Sequence, residues 1–124
     1  MENSISHKVV GAAIEVHRHL GPGLLESAYE ECLCHELKLR GLSFERQKEL
    51  AVHYKGSHLD CGYRLDILVE GVVILELKSV KKFEPIHEAQ LLTYLKLSNL
   101  KLGLLLNFNV PLMRDGIQRI VNNL

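Results

Sequence analysis

Apolar residues recur along this chain with two different periods, and the switch between them outlines its elements. Ile5, Val9, Ala13, Val16 and Leu20 follow helical spacing, which predicts a helix over residues 4–20 with Ser4 or Ser6 as its cap. Gly21-Pro22-Gly23 stops it. A second helix is expected from about residue 24 to 40, with Leu25, Ala28, Cys32 and Leu33 as its apolar stripe and Gly41 as its stop. The period then shortens. Residues 44–55 alternate in part, placing Leu50, Val52 and Tyr54 on one face of a strand, and Lys55-Gly56-Ser57 reads as a turn. Residues 58–69 and 72–79 read as two more strands, joined at Glu70-Gly71. A third helix is expected at 85–98, where Pro85 suits the first turn. Gly103-Leu104-Leu105-Leu106, within 101–109, reads as a buried strand, and Ile117, Ile120, Val121 and Leu124 give the tail helical spacing.

The order is therefore α-α-β-β-β-α-β with a helical tail. That is an α/β chain whose mixed sheet of about four strands is flanked by helices. A helix between the third and fourth strands implies a crossover, so those two strands run parallel or lie apart in the sheet.

One strand carries an anomaly. Val72-Val73-Ile74-Leu75 runs without a polar break and then meets Glu76-Leu77-Lys78. Such a run fits a central strand buried on both faces. Alternation puts Glu76 and Lys78 on one face, roughly 6 to 7 Å apart along the strand. Charges there need partners, because an unpaired buried charge is costly. Asp66 sits in a neighbouring apolar run, Leu65-Asp66-Ile67-Leu68-Val69. A two-residue turn at Glu70-Gly71 would set Asp66 opposite Leu75, on the wrong side for Glu76. An odd loop, such as Val69-Glu70-Gly71 with a left-handed Gly71, would bring both acids to one face. Two carboxylates then suit a hard cation such as magnesium or manganese better than zinc. The competing reading is a structural ion pair between Lys78 and one of the acids.

Composition narrows the alternatives. The 124 residues fit one domain spanning 1–124, and 47% apolar content is ordinary for a soluble chain. No apolar run approaches the ~18 residues a membrane span needs. Met1-Glu2-Asn3-Ser4 lacks the features of a secretory signal, and three irregularly spaced cysteines argue against a disulfide framework, so a reducing, cytoplasmic setting is expected. Net charge is zero, so affinity for a phosphate backbone would rest on a local patch, best supplied by Lys78, Lys81 and Lys82. His17 and His19, or Cys32 and Cys34, stand two apart on helices and so face different ways, which disfavours zinc. Cys61 is expected to be a small buried residue. Gly21-Pro22-Gly23 lacks the following Gly-Lys-Ser/Thr of a phosphate loop.

Two more segments bear on the anomaly. Gly21-Pro22-Gly23-Leu24-Leu25-Glu26-Ser27-Ala28-Tyr29 places Glu26 and Tyr29 one turn apart at the start of helix two. His87, Gln90 and Tyr94 share one stripe of helix three. Taken singly, the first is ordinary helix-start chemistry and the second a solvated polar face. Taken in order with Asp66 and Glu76-x-Lys78, they resemble the small GxxExxY proteins, compact relatives of the PD-(D/E)XK nucleases, over nearly the whole chain. The resemblance implies a restriction-endonuclease-like core and a metal-dependent nuclease, with DNA a better substrate expectation than RNA. Asp66, Glu76 and the backbone carbonyl of Leu77 would hold Mg²⁺ or Mn²⁺, and Lys78 would serve the attacking water. Glu26, Gln90 and Tyr94 would support the site. Leu65 stands where the superfamily name has proline. A nuclease-fold module that binds nucleic acid or a partner protein without cutting is the alternative. A homodimer is the expected way for so small a chain to build a groove for duplex DNA.

Overall fold

The apolar run at 72–77 lies at the centre of a five-stranded sheet in the computed structural model, which describes all of residues 1–124. Chain order gives helix α1 (Glu2–Leu20), α2 (Glu26–Leu39), strands β1 (Phe44–Tyr54), β2 (Ser57–Val69) and β3 (Val73–Lys78), helix α3 (Pro85–Ser98), then β4 (Leu102–Asn107) and β5 (Ile117–Val121). The strands are ordered β1-β2-β3-β4-β5 across the sheet. Only β3 and β4 pair in parallel, because α3 carries the chain back across the sheet between them. The α/β, restriction-endonuclease-like architecture read from the sequence is thus present, with one strand more than expected.

That extra strand comes from the tail. Residues 117–121 pair antiparallel with β4, from Leu106↔Ile117 to Leu102↔Val121, and are not helical. The approach is close: a Cβ on Gly116 would stand 2.0 Å from the carbonyl oxygen of Asn107. Glycine at 116 therefore admits the chain to the sheet edge.

Two apolar layers cover the sheet. On one face Ile67, Val69, Val73, Leu75 and Leu77 meet Val9, Ala13 and Val16 of α1 and Tyr29, Leu33 and Leu37 of α2. On the other, Leu68, Ile74 and Leu105 meet Leu91, Tyr94 and Leu95 of α3. The buried stripe of α2 is Tyr29-Leu33-Leu37 with Cys34, so the expected stripe is displaced: Leu25 is 77% exposed and Cys32 is on the surface. Neither Ser4 nor Ser6 caps α1, whose first residue is Glu2; the Ser4 hydroxyl donates back to the Met1 carbonyl. Cys61 is exposed, not buried. It lies beside Gly62 (φ 77°) in an irregular stretch of the β1–β2 hairpin, where the pairing shifts between Leu50 and Val52. No helix is long and apolar enough to cross a membrane.

Candidate metal centre

The β2–β3 connection has an odd number of residues. Val69 pairs with Val73, so Glu70, Gly71 and Val72 form the loop. Glu70 (φ 53°) and Gly71 (φ 69°) are both left-handed, and Val72 N–H closes the turn on the Val69 carbonyl. The loop is one residue further along than Val69-Glu70-Gly71, but its parity is the one that sets Asp66 opposite Glu76. The Glu70 carboxylate holds the turn by accepting from the Ser43 N–H and hydroxyl.

Backbone pairing between β2 and β3 ends at Ile67↔Leu75. One step on, the side chains take over. Glu76 Oε2 accepts from the Asp66 N–H at 2.9 Å, and Asp66 Oδ2 accepts from the Leu77 N–H at 2.8 Å. The two strands part where their acids face each other. The ladder on the other side has a gap at the same point: Gln47 of β1, at φ 49°, goes unpaired between Arg46↔Ile67 and Lys48↔Leu65, with the register unchanged on either side.

Each carboxylate thus spends one oxygen on the backbone. The other has no protein partner and reaches solvent. Burial raises both pKa values. Glu76 is pushed up to about 8, first by loss of hydration and then by the Asp66 charge. Asp66 is raised by burial and by Glu30, against the Leu77 N–H and Lys78, which lower it. Lys78 forms no salt bridge with either acid. The buried ion pair that would have explained these charges structurally is not formed. Two desolvated acids in mutual repulsion, each with a free oxygen, are the donor set a hard divalent cation takes.

Glu26 and Tyr29 belong to a different arrangement. Gly21 (φ 68°) and Gly23 (φ 98°) turn the chain between the helices. The buried Tyr29 hydroxyl donates to the Gly21 carbonyl at 2.5 Å and accepts from the Leu24 N–H at 3.2 Å. Its ring stacks on Phe108 at 4.5 Å. The Glu26 carboxylate accepts from the Ser79 N–H at 3.3 Å, while the Ser79 hydroxyl donates to the Leu24 carbonyl. Glu26 therefore stands over the residue after Lys78, and its charge raises both Asp66 and Glu76. No three acidic, histidine or cysteine side chains converge on one point.

Helix α3 brings Tyr94 up to the acids. Burial raises its phenol, followed by the Glu76 charge. Gln90 is exposed one turn earlier, and its side chain makes no hydrogen bond. His87 is taken by the helix start, where its Nδ1 accepts from the Glu84 N–H at 3.0 Å.

A family model matches residues 3–120. The chain belongs to the PD-(D/E)XK nuclease superfamily. No curated protein and no solved structure matches it. The Asp66 and Glu76-x-Lys78 motif sits where β2 and β3 separate. A nuclease-type function follows from that membership at the level of the superfamily.

The sequence pattern did not single out one residue beside this candidate site. Asn107 ends β4 as Lys78 ends β3, and the two are register partners. Its buried amide accepts from the Val80 and Asn109 N–H groups and donates to the Val80 carbonyl. It thereby fixes the chain just beyond Lys78. The signal was available: Gly103–Leu106 is another apolar run closed by a polar residue that needs partners.

Proposed function

We propose that this chain is a metal-dependent phosphodiester hydrolase acting on nucleic acid, with DNA as the preferred substrate. The observation that carries the reading is the pair Asp66 and Glu76, facing each other across parted strands with one free oxygen each and no ion pair to Lys78. In this reading Asp66, Glu76 and the Leu77 carbonyl hold Mg²⁺ or Mn²⁺. Two carboxylates suit magnesium, which retains several waters and takes substrate phosphate oxygens as further ligands. When bound, the cation acidifies water and offsets charge on the phosphate.

Lys78 orients the attacking water and offsets charge developing on the phosphate oxygens. Water adds to phosphorus as the P–O bond to the leaving sugar oxygen breaks. Glu26 acts through its charge and through Ser79. Tyr94 and Gln90 line the substrate side. The exposed Lys81 and Lys82, free of salt bridges, meet the backbone phosphates. The free cysteines Cys32, Cys34 and Cys61 suit a cytoplasmic setting.

The test is cleavage of single-stranded, duplex and branched DNA with magnesium or manganese, alongside calorimetric titration of the metal. Wild type should cut and bind metal, and Asp66→Ala and Lys78→Ala should cut far more slowly. Equal cutting by the variants would sink the reading. Nucleic-acid binding with neither metal uptake nor cutting would assign the chain to the non-catalytic module instead.

A further inference from the structure

Next to the carboxylates a cleft of about 400 Å³ runs between α3 and the β1–β2 hairpin, lined by Val52, Tyr63, Ile86, Ala89, Gln90 and Tyr94 among others. Nothing in the hydrolase reading uses its walls beyond Gln90 and Tyr94. The Tyr63 and Tyr94 rings stand 6.0 Å apart and inclined at 57°, forming a corner and not a closed stack. Tyr63 is 44% exposed and Ile86 68% exposed, so an aromatic and an aliphatic side chain are both held at the mouth in water. Singly exposed apolar residues are ordinary; several lining one concavity beside a charged site mark a ligand surface. The only uncommitted amide there is Gln90.

The cleft carries no charge among its lining residues. The unpaired cations Lys78, Lys81 and Lys82 cluster in the stretch from the end of β3 to α3. Phosphate-seeking and ring-seeking surfaces thus flank the acids separately. A base inside a duplex has both faces covered by its neighbours and its pairing edge occupied. Aromatic faces with one free amide therefore suit a base that has left the stack.

We propose that this cleft receives one unstacked nucleobase of the strand being cut, so that the substrate is DNA single-stranded or unpaired at the scissile position. The inference rests on the hydrolase reading for the word cut, but not for the base site itself.

Two experiments separate the two claims. The first titrates protein into a single-stranded oligonucleotide carrying one 2-aminopurine, in EDTA so that nothing is cleaved. Stacking should quench the fluorophore, Tyr63→Ala should weaken binding about tenfold, and Tyr63→Phe should restore it. Ile86→Asp, in the first turn of α3 where an acid suits the helix, should weaken binding without unfolding the protein. The second compares manganese-dependent cutting of a perfect duplex, a duplex with a central unpaired stretch, and the latter with one abasic site beside the cut bond. The unpaired stretch should be cut at least tenfold faster, and the abasic site should erase that advantage. Lys78-dependent cutting that is equal on all three would overturn the base site and leave the hydrolase standing. Tyr63-dependent quenching with no cutting of any substrate would overturn the hydrolase and leave the base site standing.

Discussion

Two clusters of polar groups meet near the end of β3, and they differ in how completely the protein satisfies them. In the segment from Gly21 to Tyr29, the buried Tyr29 hydroxyl holds both a carbonyl and an N–H, Glu26 takes the Ser79 N–H, and Ser79 returns a bond to Leu24. Between Asp66 and Lys78, each acid has one oxygen occupied and one free, both are pushed toward the protonated form, and the lysine has no counterion. The first cluster closes when the chain folds. The second remains electrostatically unfavourable until something positive or phosphate-bearing arrives. A fold retains such a cost where it serves a ligand.

The sharpest way to break this comparison is to remove a charge from the second cluster. Lys78→Ala should lower metal-dependent cutting by about 10²–10³-fold while changing stability by no more than ~0.5 kcal/mol, because Lys78 has no ion pair to lose. Cleavage rates and chemical denaturation read the two effects. A large loss of stability with intact activity would make Lys78 a structural residue and merge the clusters into one.

The converse prediction strikes the first cluster. Tyr29→Phe keeps the stack on Phe108 but strips partners from the Gly21 carbonyl and the Leu24 N–H. The expected loss is about 1–3 kcal/mol, read as a fall in melting temperature of several degrees. An unchanged melting temperature would show that the hydroxyl does not hold the loop.

The same contrast explains what the sequence made legible. Val72–Leu77 announced a central strand because six residues in a row, one acid excepted, had to be buried. Parity alone then demanded the odd loop. Neither statement needed distant parts of the chain. The tail did: Ile117, Ile120 and Val121 fit a helix as well as a short edge strand, and Gly116 passing the Asn107 carbonyl decides the matter across the sheet. In the sequence pattern Tyr29 belongs only to the helix-start signature and falls outside the predicted stripe of α2, whose buried residues it leads. The bonds from the Asp66 N–H to the Glu76 carboxylate and from the Leu77 N–H to the Asp66 carboxylate were illegible for a different reason. They depend on the strands parting after Ile67↔Leu75, and no local pattern in the sequence marks where a ladder ends.

The pH dependence of the second cluster is next in size. Folding raises Glu76 from 4.5 to about 8 and also raises Asp66. The native state therefore binds more protons than the unfolded chain between the ordinary carboxylate range and about pH 8. The pair's contribution to stability is full below that range and is lost as pH rises through about 8. Without metal, wild type should lose on the order of 2 kcal/mol relative to Glu76→Gln between pH 6 and pH 9, since glutamine keeps the acceptor for the Asp66 N–H without the charge. A cation reverses the sign. Magnesium or manganese should bind more tightly at pH 9 than at pH 6 and release protons on binding. Calorimetry in buffers of different ionisation enthalpy reads that release. Stability curves of wild type and Glu76→Gln that run parallel from pH 6 to 9 would show that the pair is not strained.

The smallest expected effect tests whether the two clusters communicate. Glu26 belongs to the first by its bond to Ser79, yet its charge is felt by both acids of the second. Glu26→Gln separates these roles, because a neutral amide oxygen still accepts from the Ser79 N–H. Stability should therefore hold. A purely architectural Glu26 would leave metal binding unchanged as well. A Glu26 that contributes charge to the site should lose about tenfold in metal affinity on becoming glutamine, the scale seen when a residue behind a metal's ligands is altered. Its removal also relieves repulsion on Asp66 and Glu76, which makes both acids easier to ionise and opposes the loss. The net effect should thus be largest at high pH, where both acids are already ionised and only the lost attraction remains. A loss of affinity that grows from pH 6 to pH 9 would mark Glu26 as the link between the clusters, and no loss at either pH would confine it to the first.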